Sequence, residues 1–122
     1  MIDCQASQTL RFQIQRYEDI DFRTVIFQFA GPCTARHIYA STSPAALRSL
    51  LESIPGGPQS TTHIFDLTRV PYMDSTGLGV IVDHYLQNHP KGIQIMAIGL
   101  SPRVFDRFKS ARKENLFPMT AD

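Results

Sequence analysis

The stretch YMDSTGLG, residues 72–79, sets three helix-capping side chains, Asp74, Ser75 and Thr76, side by side and follows them with Gly77 and Gly79. A helix start needs one such side chain to accept a hydrogen bond from the free N–H groups of its first turn, a contact worth ~1 kcal/mol. With Asp74 as the cap, the Ser75 hydroxyl is spare and can point to solvent. Two glycines early in a helix cost roughly 1 kcal/mol each relative to alanine. Something must offset that cost: either the turn packs tightly on the sheet, or a partner's backbone comes close to it.

Other residues with chemical potential lack the company their chemistry needs. FDLT (residues 65–68) resembles phosphatases and phosphotransferases that use a strand-end aspartate as nucleophile. That chemistry requires a second carboxylate two residues on and a magnesium site, and Thr68 stands there instead. The four histidines, His37, His63, His84 and His89, form no Cys/His cluster, and His84 and His89 are off a common helix face, so no zinc site is expected. PGGP has no following lysine in phosphate-loop register. Arg103, Arg107, Lys109, Arg112 and Lys113 read as a solvated cationic face near a helix C-terminus. No enzymatic activity, cofactor or metal is expected.

Period-two alternation of Leu10, Phe12 and Ile14 predicts a half-buried strand, YEDID a polar turn, and residues 23–30 a second strand near the middle of a sheet, the two forming a hairpin. GPCTARH reads as the chain leaving that strand, stopped by Gly31-Pro32. Ser43-Pro44 supplies a cap and a first-turn proline for a helix carrying Leu47, Leu50, Leu51 and Ile54. IPGGPQSTT is a loop, and HIFDL (63–67) a buried strand. Leu78, Ile81, Val82 and Tyr85 mark a second helix that stops before Pro90. Residues 93–98 form another buried strand. Ser101-Pro102 opens a third helix with Val104, Phe105, Phe108 and Ala111 inward. NLFPMT adds a short final strand or packs down. The order β-β-α-β-α-β-α predicts an α/β fold: a mixed sheet of four to five strands with an antiparallel leading hairpin, covered by helices.

The chain has 122 residues, 43% apolar and 19% charged, with a net charge of +1. That suits one domain, and the charge is too small for general nucleic-acid affinity or membrane steering. Cys4 and Cys33 read as free thiols of a reducing compartment. No signal-peptide or membrane-spanning run occurs, so a cytoplasmic location is expected, with no nucleic acid and no membrane insertion. Residues 1–8 are expected to be a flexible start, 9–119 the domain and 120–122 a tail.

FDLTRVPYMDSTGLGVIV resembles the signature of the STAS domain family, as found in bacterial anti-sigma-factor antagonists. Asp66-Leu67-Thr68 closes a strand, and Asp74-Ser75-Thr76-Gly77-Leu78-Gly79 opens a helix at the matching separation. The resemblance implies a switch rather than an enzyme. A partner anti-sigma factor with kinase activity would phosphorylate Ser75, the unmodified form would bind that kinase and free a sigma factor, and a metal-dependent phosphatase would reverse the mark. Thr76 is the weaker acceptor candidate. Asp74, Ser75, Thr76, Gly77, Leu78, Gly79 and Thr34 would form the partner surface, with a homodimer as a further option, and Asp66 reads as structural. Phosphorylated members often carry Gly-x-x-Asp after the second strand. Here the residues are Gly31-Pro32-Cys33-Thr34, so Thr34 takes the acidic position and the site is less negative. The loop 54–62 is also long for the family. The alternative this raises is an unswitched scaffold in a signalling assembly or in a lipid or anion transport system.

Overall fold

The computed structural model describes residues 11–52 and 60–121; Cys4, Leu10, Ile54 and most of the 54–62 loop lie outside them. Strands β1 (Gln13–Asp19), β2 (Thr24–Ala30), β3 (Thr62–Arg69), β4 (Gln94–Leu100) and β5 (Met119–Ala121) form one sheet in the order β1-β2-β3-β4-β5. β1 runs antiparallel to β2, and the other pairs are parallel. Helices α1 (Ala35–Ser41) and α2 (Pro44–Leu51) link β2 to β3, α3 (Ser75–Asn88) links β3 to β4, and α4 (Pro102–Ser110) precedes β5. The mixed α/β sheet and the leading hairpin are as the sequence predicts.

The alternating residues Val25, Phe27 and Phe29 of β2, His63, Phe65 and Leu67 of β3, and Ile95 and Ala97 of β4 are buried. The period of two puts them on one sheet face. Phe27 stacks on Phe65 with ring centroids 5.4 Å apart, and Phe29 meets Phe65 edge-on at 5.5 Å. Leu78 and Ile81 of α3 and Val104 and Phe108 of α4 join the same core. The opposite face, with Ile26, Ile64 and Ile98, is half-buried.

Four local expectations are corrected. YEDID is not the turn: Tyr17, Glu18 and Asp19 stay paired with β2, and the turn is Ile20 to Arg23, where Arg23 N–H donates to the Ile20 carbonyl (3.2 Å). An edge strand tolerates such polar residues because its outward side chains meet water. GPCTARH does not only leave the strand. It starts α1, capped by the Thr34 hydroxyl, which accepts from His37 N–H (3.3 Å), so two helices precede β3. Seven residues with Ile38 alone buried are too short for a helical period to show. Phe105 and Ala111, expected inward, are exposed: Val104 and Phe108, four apart, define the buried stripe, and Ala111 is the C-cap. In α2, capped by Ser43, Leu47 and Leu51 are buried but Leu50 is 38% exposed. The C-terminal segment does form a strand, β5, which ends at Ala121. No helix among the described residues is long and apolar enough to cross a membrane.

Candidate functional site

Beyond the ends of β2 and β3, the segments 31–34 and 70–74 run side by side. Gly31 N–H donates to the Arg69 carbonyl (2.9 Å), Cys33 N–H to that of Tyr72 (3.0 Å), and Asp74 N–H to that of Cys33 (3.2 Å). Cys33 and Met73 form a parallel bridge. These bonds satisfy loop backbone groups that would otherwise be buried unpaired. Each segment then opens a helix, so the N-termini of α1 and α3 emerge together.

Asp74 ties the two starts. Its Oδ1 accepts from Gly77 N–H (3.0 Å), which caps α3, and its Oδ2 accepts from Ala35 N–H (3.0 Å), the first residue of α1. Of the three capping side chains the sequence offered for α3, the structure uses Asp74. The bond to Ala35, 39 positions away, is not legible in the sequence. Burial raises the Asp74 pKa, but the N–H groups of Ala35, Gly77, Thr76 and Asp74 itself outweigh it, and the carboxyl titrates below its usual range. Asp74→Ala removes both contacts, and we expect a loss of about 2 kcal/mol, roughly one per N–H released. A urea midpoint equal to that of the wild type would contradict the double cap.

Ser75 begins α3 with its side chain exposed, and Thr76 is half-buried. Among the described residues no side chain hydrogen-bonds the Ser75 hydroxyl. Of the remaining predicted contact residues, Gly77 and Leu78 are buried in the fold, whereas Gly79 and Thr34 are half-buried. Gly77 seats α3 on the 31–34 segment: a Cβ there would lie 2.1 Å from the Cys33 carbonyl oxygen. Around Gly79 a Cβ would meet nothing within 4 Å. Of the two purposes the sequence left open, tight internal packing is met at Gly77, while Gly79 is not pressed against any neighbouring segment.

Thr34 caps α1, and its hydroxyl also lies 2.7 Å from His37 Nδ1. Aspartate and threonine are both good caps, so this helix start survives the exchange of one for the other. Cys33 is buried and free, and burial, with the Asp74 charge, pushes its thiol up to about 12. Asp66 accepts from Thr68 N–H (3.0 Å) and from the Gln28 amide (3.4 Å). Burial raises its pKa, but the Thr68 and Gln28 bonds and the Arg69 charge win, leaving it lowered. Asp66 therefore holds the strand end in place.

The cationic face of α4 is not merely solvated. Arg107 Nε donates to the Met73 carbonyl (3.3 Å), and the Arg103 guanidinium lies 4.7 Å from the centre of the Tyr72 ring. Two of the five cations therefore anchor the loop that leads into Asp74.

The sequence also missed a histidine pair. His63 Nδ1 lies 2.7 Å from His84 Nε2, and Ser60 Oγ lies 2.7 Å from His63 Nε2. Both rings are buried, each meeting Phe27 edge-on, and His84 meets Phe65 edge-on as well. The available signal was positional: His63 occupies an inward site of the β3 alternation, and His84 follows Ile81 by three on α3.

The fold and the turn define a class: a small mixed-sheet α/β domain that presents one serine at a helix start beyond the carboxyl end of its sheet. The chain belongs to the STAS domain family, whose model matches residues 1–122. Over 44 residues it is 46% identical to the anti-sigma-B factor antagonist of Listeria monocytogenes. That match takes in 36% of this chain and 39% of the relative, so it spans about two fifths of the curated protein's length. The fold is similar to that of the anti-sigma factor antagonist SpoIIAA in its unphosphorylated form (TM-score 0.66, 20% identity, 91% of this chain and 88% of that one). It is also similar to that of the Bacillus cell fate determinant SpoIIAA in the phosphorylated form (TM-score 0.59, 19% identity, 91% of each chain).

Proposed function

We propose that this domain is an anti-sigma-factor antagonist that works by protein–protein contact through the 74–79 turn, gated by a phosphate on Ser75. The observation that carries this reading is the exposed Ser75 side chain on the first turn of α3, beside an Asp74 whose two oxygens are both engaged by backbone N–H groups. Family membership and the antagonist relative support it.

A phosphate on Ser75 adds about −1.5 to −2 charges. The first-turn N–H groups favour an anion there by a few tenths to ~1 kcal/mol, and the neighbouring Asp74 carboxylate opposes it. These effects pull against each other, so the carrier stays folded and the readout lies at the surface. An anti-sigma factor with kinase activity that docks on this turn must desolvate the new charge. Leaving a buried charge unpaired costs several kcal/mol, and ~1.4 kcal/mol is a factor of ten in affinity. Release follows, and a metal-dependent phosphatase resets the site. The half-buried Thr76 is the poorer acceptor, and the open surface at Gly79 leaves room for the partner's backbone.

The test pairs Ser75→Ala with Ser75→Asp in binding assays against the anti-sigma kinase. The alanine variant is expected to bind and the aspartate variant to lose at least about a hundredfold in affinity, both with unchanged melting temperature. Incubation with kinase and ATP should add one phosphate to the Ser75 peptide. Equal binding by both variants and no phosphate uptake would leave the unswitched scaffold as the function.

A further inference from the structure

We infer that the cleft between α1, α2 and α3 binds a small organic carboxylate with an apolar body. The cleft encloses about 440 Å³, a size typical of small-molecule sites. It lies along the middle and C-terminal turns of α3, whereas Ser75 sits on the first turn. Leu47 of α2 and Val80 of α3 supply apolar wall. Two buried polar residues of α3 also line it, Asn88 and His84, the latter only 5% exposed. His84 Nε2 is tied to His63, and its other nitrogen, Nδ1, has no partner among the described residues.

The chain Ser60–His63–His84 sets what that nitrogen can offer. When the Ser60 hydroxyl donates to His63 Nε2, His63 Nδ1–H donates to His84 Nε2, and the neutral His84, which lines the cleft, carries its proton on Nδ1 as a donor. Reversing both bonds makes Nδ1 an acceptor. Arg48 and Lys91 also line the cleft, and neither pairs with a carboxylate among the described residues. Two cations and a ring N–H together select an oxyanion, which favours the first direction. Asp83 and Glu52 line the same cleft and weigh against a dianion such as phosphate. One carboxylate on an apolar body, resting on Leu47 and Val80, matches the whole lining.

The experiment is an NMR titration of the intact chain with phenylacetate, phenylethanol and inorganic phosphate as probes. Phenylacetate is expected to shift the Leu47, Val80 and His84 signals saturably, with a dissociation constant on the order of 1 mM, a strength within reach of ligands this small. The His84 ring nitrogens should report the Nδ1–H tautomer in the bound form. Arg48→Ala, at an exposed position outside the core, should weaken phenylacetate about tenfold and leave the fold intact. Phenylethanol should bind at least about tenfold more weakly, and phosphate should move none of these signals. The proposal is overturned if phenylacetate gives no saturable shift, if phenylethanol or phosphate matches it, or if Arg48→Ala binds it as well as the wild type.

Discussion

Gly77→Ala is expected to destabilise the domain by about 3 kcal/mol or more, a large part of the 5–15 kcal/mol that holds a typical domain together. The added Cβ would lie 2.1 Å from the Cys33 carbonyl oxygen, 2.8 Å from its Sγ and 3.0 Å from its carbonyl carbon. Two of those atoms are backbone, so no rotamer change relieves the contact. Nor can α3 withdraw easily. Asp74 N–H is bonded to the Cys33 carbonyl, and the Asp74 carboxylate holds the start of α1 as well as that of α3. For a chain of this length the melting temperature should fall by roughly 10 °C. Gly79→Ala, two positions along the same helix, provides the contrast. Its Cβ enters open space, so helix propensity alone acts, and the variant should be up to about 1 kcal/mol more stable. If the 74–79 turn is the docking surface, that gain in stability comes with weaker partner binding. Urea unfolding of both variants decides the matter: a Gly77→Ala protein as stable as the wild type would show that the 31–34 segment yields without cost.

Mild acid should weaken the fold before its carboxylates titrate. Burial, followed by the charges of Arg16 and Lys91, lowers His63 to about 4. Burial, then the coupling to His63, with Arg16 and Lys91 behind it, lowers His84 to about 3. Both would sit near 6.5 in the unfolded chain. Between about 6.5 and 4 the unfolded chain therefore binds protons that the folded one refuses, and stability falls as pH falls. The ceiling is about 1.4 kcal/mol per pH unit for each ring. The geometry gives the same sign independently. The His63–His84 bond needs one N–H and one lone pair, and a proton on both facing nitrogens breaks it. Asp66 and Asp74, whose pKa values are lowered, add their own loss only below the ordinary carboxylate range, as pH falls through their folded values. Unfolding free energy measured from about pH 7 to pH 4 should thus drop steeply, and the double variant His63→Phe/His84→Leu should flatten the profile over that window. A wild-type curve already flat there would sink the buried neutral pair.

Much of the site was legible because its signals are local. Asp74 caps α3 through an N–H three residues away, and Ser43 and Ser101 do the same for α2 and α4 before their prolines. Strand faces show in an alternation that spans a few residues. The α1 helix escaped for the opposite reason: one buried isoleucine in seven residues makes no period. Phe105 was misplaced because apolar type does not say which of two adjacent positions on a helix meets the sheet.

The sequence by itself determined the four main strands in outline, the capped starts of α2, α3 and α4 and the position of Ser75 at one of them, since each depends on backbone chemistry within about one helical turn. Only the tertiary structure decided that Asp74 also holds Ala35, that Gly77 is pressed against Cys33 while Gly79 faces open space, and that His63 and His84 share a hydrogen bond across 21 residues. Those relations arise where separate segments meet. Close packing fixes such a contact by the position of every neighbour at once, and no short run of residues carries that information.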